Sequence, residues 1–145
     1  MTAPRRLPTL LAALCLLVPP LAEAAKPAAP VPQNRMVIQV NEDDEKKWNA
    51  ILSNVHNVQA DLGKDKVRIE VVAYGAGIGM LKADSLVANR VEDALADGVS
   101  FVACGNTMNA LKIGKDDMIQ GIGYAKAGFV RIMERQQQGW AYIRP

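Results

Sequence analysis

Val67 to Met108 reads VRIEVVAYGAGIGMLKADSLVANRVEDALADGVSFVACGNTM. The first eight residues, Val67 to Tyr74, are apolar and β-branched enough to predict a strand. A glycine-rich turn follows at Gly75, Gly77 and Gly79. Val87, Val91, Ala94 and Leu95 then recur at helical spacing, and Gly98 closes that helix. Val99 to Ala103 is a second apolar strand, with Cys104 at its end. A strand, a helix and a strand in succession form a crossover unit, which places the two strands in parallel.

The same alternation extends in both directions. Upstream, Met36 to Val40 predicts a strand, and Asn41 to Asp44 offers caps for a helix. Trp48, Ile51, Leu52, Val55, Val58 and Leu62 mark that helix, and Gly63 ends it. Downstream, Asn106 to Lys112 predicts a short helix stopped by Gly114, and Asp116-Asp117 caps a further helical turn. Ile122 to Ala125 reads as a short strand. Phe129, Ile132, Met133 and Gln136 share one face of a last helix, and Trp140 to Ile143 is a closing strand. The expected fold is therefore α/β, with a mostly parallel sheet of about five strands covered on both faces. Sites in such folds form beyond the C-terminal ends of the strands. The glycine turn and Cys104 both lie there.

The N-terminal stretch has a different character. Arg5-Arg6 precedes an apolar run from Leu7 to Leu21, and Ala22-Glu23-Ala24 supplies small residues where a signal peptidase cuts. Residues 1–24 are expected to be an export signal, which places the protein in the periplasm or outside the cell. The run is shorter than the ~20 residues that span a bilayer, so no stable membrane insertion is expected after cleavage. The residues around Arg5-Arg6 fit general export better than a twin-arginine signal. Leu14 stands before Cys15 where lipoprotein processing needs a small residue. Residues 25–35, rich in Ala and Pro, read as a flexible leader. Residues 36–145 form one domain, and about 110 residues suffice for a packed core.

Cysteine usage is sparse. Cys15 and Cys104 are the two cysteines of the 145-residue chain, and cleavage leaves Cys104 alone, without an internal disulfide. With 17 Lys and Arg against 15 Asp and Glu, the chain is near neutral. Its basic residues are scattered, and nucleic acid is not an expected partner.

Few motifs carry chemistry. GAGIGM, Gly75 to Met80, lacks the third glycine of a dinucleotide fingerprint, and no acid ends the next strand. It reads as a tight turn shaping a pocket rim. Gly63-Lys64 and Gly114-Lys115 are each followed by Asp, not by the Ser or Thr of a phosphate loop. His56 is the single histidine and flanks an apolar stripe. One Cys and one His far apart make no metal set; no metal and no cofactor are expected. Trp48, Met108 and Met133 read as packing, and Lys46-Lys47 and Arg131-Glu134-Arg135 as solvated helix faces.

Cys104 stands out by position. The first N–H groups of a helix are unpaired and stabilise a thiolate. Gly105 permits close approach, and Asn106 and Thr107 can cap or bind an anion. Against this stands the common role of a free cysteine as a small buried hydrophobe. Both readings stay open at this point.

Three segments resemble the DsrE/DsrF-like family: Ile69 to Leu81, Gly98 to Met108 and Gly139 to Pro145. The resemblance implies a three-layer α/β/α domain and homo-oligomers, trimers or hexamers. It also implies sulfur relay, with a persulfide on a cysteine after the third strand, the place of Cys104. Leu111-Lys112-Ile113-Gly114 stands where relay members carry an arginine-rich segment, and the export signal points to an exported branch. Two functions follow. In the first, Cys104 carries sulfane sulfur between a donor and an acceptor protein, in a pocket of Gly75, Gly77, Gly79, Gly105, Asn106 and Thr107. In the second, the chain is a non-catalytic oligomeric ligand-binding or scaffold module of the cell envelope.

Overall fold

The computed structural model describes residues 34–145. The expected export signal, Cys15 and residues 25–33 of the expected leader lie outside the described residues.

Five strands form one sheet in the order β4-β3-β2-β1-β5, and every pair is parallel. The strands are β1 (Asn34–Val40), β2 (Val67–Ala73), β3 (Ser100–Cys104), β4 (Gly123–Ala125) and β5 (Ala141–Ile143). β1 starts two residues before the expected Met36, because Asn34 and Arg35 pair with Val67 and Arg68. Those two residues belong to the sheet and not to a leader.

Helix α1 (Glu45–Leu62) begins at Asp44, whose carboxylate accepts the Lys47 N–H at 3.1 Å. That cap and the acidic Glu45 satisfy the helix start. The chain leaves α1 at Gly63, with φ of 93°, a conformation that suits glycine. Helices α2 (Ala88–Ala96) and α3 (Gly105–Leu111) follow β2 and β3, and α4 (Gly128–Gln137) follows β4. Among the described residues no helix is long and apolar enough to cross a membrane.

Side chains alternate across each strand, and here the two faces are unequal. Met36, Ile38, Ile69, Val71 and Phe101 join Trp48, Val55, Val91 and Met108 in the main core under α1, α2 and α3. The other face holds a small core of Val37, Val72, Val102 and Ile132 under α4 alone.

That thin layer corrects three expectations. Phe129, at 69% exposure, and Met133 point outward from α4, because the short helix buries only Gly128 and Ile132. Met133 is therefore not core. Nor are Arg131 and Arg135 a solvated face. Both reach down to Glu70 of β2, which is 2% exposed. Arg131 Nε donates to Oε1 at 2.7 Å, and Arg135 Nη2 donates to Oε2 at 2.6 Å. An unpaired carboxylate at that depth would be prohibitive.

The glycine segment after β2 is a 3-10 turn, Gly75–Leu81, in keeping with the expected tight turn. Gly77 packs directly on the end of β1. A Cβ there would lie 2.6 Å from the Val40 carbonyl oxygen and 2.8 Å from Asn41 Cα. All of the opposing atoms are backbone, so no side chain can yield. Gly77→Ala is expected to cost at least the roughly 1–3 kcal/mol of an overpacked core. Urea denaturation at neutral pH checks this; an unchanged midpoint would show that β1 and the turn can separate freely.

Candidate functional site

Cys104 ends β3 on the face that carries Val102, the face under α4. It is 6% exposed. Its sulfur accepts a hydrogen bond from the Gly128 N–H at 3.2 Å. Gly128 is the first residue of α4, so this N–H is one that the helix itself cannot pair. The approach depends on glycine. A Cβ on Gly128 would sit 3.4 Å from Cys104 Cβ and 3.3 Å from Tyr74 Cβ.

The sequence placed a helix start directly after Cys104. That helix is present as α3, yet Sγ makes no capping hydrogen bond within it. The donor within hydrogen-bond distance of the sulfur comes from α4, 24 residues downstream, while the Thr107 and Asn106 groups of α3 add weaker pulls on it. Gly128 was therefore missed. The available signal was a glycine opening an amphipathic helix, where the missing side chain leaves room for another group to approach closely.

Burial pushes the Cys104 thiol up, since it disfavours the charged form. The Gly128 N–H opposes this most strongly, followed by the Thr107 N–H and hydroxyl and the Asn106 N–H. The balance holds the thiol below its ordinary value. The Asn106 N–H also donates to the Lys126 carbonyl at 3.0 Å.

That Asn106 bond ties the start of α3 to the segment leading into α4. Gly105 makes the same junction tight, because a Cβ there would meet the Ala125 carbonyl at 3.3 Å. Thr107 Oγ1 accepts the Gly75 N–H at 3.0 Å. The structure thus brings Gly75, Cys104, Gly105, Asn106 and Thr107 together and adds Gly128. Beside them the Tyr74 and Phe129 rings pack at 4.9 Å with a 52° tilt.

Two glycines of the turn lie elsewhere. Gly77 is buried against β1. Gly79 borders an open cleft of about 610 Å³ with Trp48, Lys82, Leu111 and Ile113, and Cys104 does not line it. The turn is anchored to the cysteine loop at one end and shapes a different depression at the other.

His56 lines a cleft of about 150 Å³ between α1 and α2, with Arg90, Asp93 and Asp97 among its neighbours. Among the described residues no three His, Cys, Asp or Glu side chains gather as metal ligands.

Residues 38–145 match the DsrE/DsrF-like family. No curated protein matches the chain. Among solved structures, a protein of unknown function, MTH1491 from Methanobacterium thermoautotrophicum, is 43% identical, with a TM-score of 0.74 over 77% of this chain and 99% of that one. Two others share the fold at low identity. BT1422 from Bacteroides thetaiotaomicron, a conserved protein of unknown function, is 17% identical, with a TM-score of 0.64 over 77% of this chain and 95% of that one. The ychN protein from E. coli is 13% identical, with a TM-score of 0.62 over 77% of this chain and 99% of that one.

Proposed function

The chain belongs to the DsrE/DsrF-like family, and from that premise we propose that its sulfur-relay-related role is to carry sulfane sulfur as a persulfide on Cys104. The observation that supports this most is the Gly128 N–H aimed at the sulfur. An N–H at a helix start favours anionic sulfur, whether thiolate or persulfide.

The chemistry balances without an added oxidant. The Cys104 thiolate attacks the terminal sulfur of an inorganic polysulfide. One S–S bond breaks, and its electron pair leaves on the shortened polysulfide. Cys104 then holds the sulfur as a persulfide anion. An acceptor thiolate attacks that outer sulfur, and Cys104 departs as thiolate. No second cysteine lies among the described residues, so the acceptor is a separate thiol or a partner protein. At 6% exposure Cys104 is buried. Exchange requires the first turn of α4, whose Gly128 N–H bonds the sulfur, to move aside.

Burial of Cys104 also favours a second reading, a non-catalytic oligomeric module with an inert thiol. The two separate on one experiment. Incubation with inorganic polysulfide adds one sulfur atom to Cys104, read by intact mass and peptide mapping. No added mass, with a thiol that reacts with alkylating agent only in urea, places the module reading first.

We further propose that the protein is exported by residues 1–24 and assembles as a trimer or hexamer. Exposed Phe129, Val130 and Met133 on α4 support self-association, since a contiguous apolar surface seeks a partner. Material recovered from outside the cytoplasm should begin at Ala25 by mass and scatter light as an oligomer. A stable monomer at micromolar concentration refutes the assembly, and a retained Met1 refutes the export.

A further inference from the structure

The hold on α4 is uneven along its length. From Arg131 onward the helix is fixed to the sheet. Arg131 and Arg135 close on the buried Glu70 carboxylate, and Ile132 sits in the small core. The Arg135 guanidinium also lies 4.4 Å from the centre of the Trp140 ring. The first turn, Gly128 to Val130, has far less. The Gly128 N–H bonds the Cys104 sulfur, and the Phe129 ring meets Tyr74 at 4.9 Å between centroids. Phe129 and Val130 are 69% and 47% exposed, so lifting them gives up little apolar burial.

The turn is bounded on its other side as well. The Asn106 N–H holds the Lys126 carbonyl at 3.0 Å, and β4 pairs with β3 as far as Ala125. The segment between the two anchors is therefore Ala127 to Val130. Gly128 lies inside it and brings the backbone freedom of glycine. Opening breaks the bond to sulfur and the 3.1 Å bond from the Arg131 N–H to the Ala127 carbonyl. It leaves the clamp on Glu70 whole. Segments with few buried contacts open locally, at less cost than unfolding the domain.

The closed turn packs tightly on the sulfur. The Gly128 nitrogen stands 3.2 Å from Sγ, and Cys104 is buried. A second sulfur bonded to Sγ lies about 2 Å further out. A close-packed interior does not absorb that volume without movement.

We propose that the first turn of α4 is a hinged cover, closed over the Cys104 thiol and displaced when that sulfur carries a further group, with the Glu70 clamp as its fixed end. Where the carried group is a sulfur atom, this rests on the persulfide reading above. The steric argument holds for any group on Sγ. The cover shields the empty thiol and, once displaced, presents the carried sulfur to an acceptor. Phe129 and Val130 ride on the moving turn, so the apolar surface of α4 changes shape with the load.

The test uses the full chain carrying Cys15→Ser and methyl methanethiosulfonate. The Cys104 thiolate attacks the methylthio sulfur, methanesulfinate leaves with the electron pair, and a methylthio group stays on Sγ. Folded protein should react roughly tenfold or more slower than protein in urea, yet faster than it unfolds globally. Phe129→Ala removes the ring contact and no hydrogen bond, and should speed the reaction about threefold or more. In the methylthio form, the Gly128 and Arg131 amides should lose roughly tenfold or more in hydrogen-exchange protection. The amides of Arg135 to Gln137, beyond the clamp, should keep theirs. Equal rates in folded and unfolded protein overturn the proposal, as does reaction only at the rate of global unfolding. So do an unchanged rate in Phe129→Ala, unchanged protection at Gly128 and Arg131, or protection lost along all of α4. A chain whose turn opens as expected but which takes up no sulfur from polysulfide keeps the cover and loses the persulfide reading.

Discussion

Cys104→Ser is expected to take up no sulfur at all, in a fold that remains intact. A serine hydroxyl stays protonated at neutral pH and does not displace sulfur from a polysulfide. Its oxygen can still accept the Gly128 N–H that the sulfur accepts at 3.2 Å. The stability change should therefore stay near that of one ordinary hydrogen bond, about 1 kcal/mol. The comparison is best made with Cys15→Ser in both proteins, so that any added mass reports on Cys104.

The pH profile adds a second readout. The folded thiol is held below its ordinary value, so uptake should reach half its maximal rate at a lower pH than with a free cysteine. Gly128→Ala pushes the N–H away, since its Cβ would meet Cys104 Cβ at 3.4 Å and Tyr74 Cβ at 3.3 Å. That midpoint should then rise. The sign for stability agrees. A depressed thiol pKa contributes stability that is complete above the unfolded value and is lost as pH falls through the folded one. Loading that persists in Cys104→Ser would remove this residue from the reaction.

Glu70→Ala should be the most destabilising single change in the small core under α4. Five hydrogen bonds from Arg131 and Arg135 end on this carboxylate. Removing it leaves two guanidiniums one turn apart with nothing between them. Breaking a buried ion pair from one side costs roughly 3–5 kcal/mol. Both arginines can partly turn to solvent, so the lower end of that range applies. At that size the loss is a large share of a domain's usual stability, about 5–15 kcal/mol. Glu70→Gln should cost less, because the amide oxygen still accepts from one guanidinium.

Acid exposes the same interaction. Burial pushes the Glu70 carboxyl up, but the hydrogen bonds from Arg135 and Arg131 and their charges pull it further down, to a net value below 4.5. Its contribution is therefore whole above pH 4.5 and fades as pH falls through the lowered folded value. Urea midpoints of wild type and Glu70→Gln should differ at pH 7 and converge in strong acid. A constant difference would mean that Glu70 is protonated in the fold, with the arginines paired elsewhere.

Local pattern was enough for most of the fold. The apolar runs at Val67–Ala73 and Val99–Ala103, each followed by helical spacing, imposed parallel crossovers, because a chain with that alternation has few other ways to bury both elements. Cys104 at a strand end was legible for the same reason. Boundaries shifted where pairing extended a strand, as at Asn34 and Arg35. Phe129 and Met133 were misplaced because helical spacing shows that one face differs from another, and not how wide a strip the neighbouring layer covers.

What touches Cys104, and what Arg131 and Arg135 hold, were decided only in three dimensions. Gly128 is 24 residues from Cys104, and Glu70 is 61 and 65 residues from its two arginines. No periodicity links positions that far apart. α4 is amphipathic on its own account, so its sequence reads as complete without either contact. Laying it across the sheet antiparallel to the strands sets its first N–H on the sulfur at one end and its arginines on the buried carboxylate at the other. Hydrogen bonds and ion pairs act over a few ångströms, and only the packed chain brings those groups within that reach.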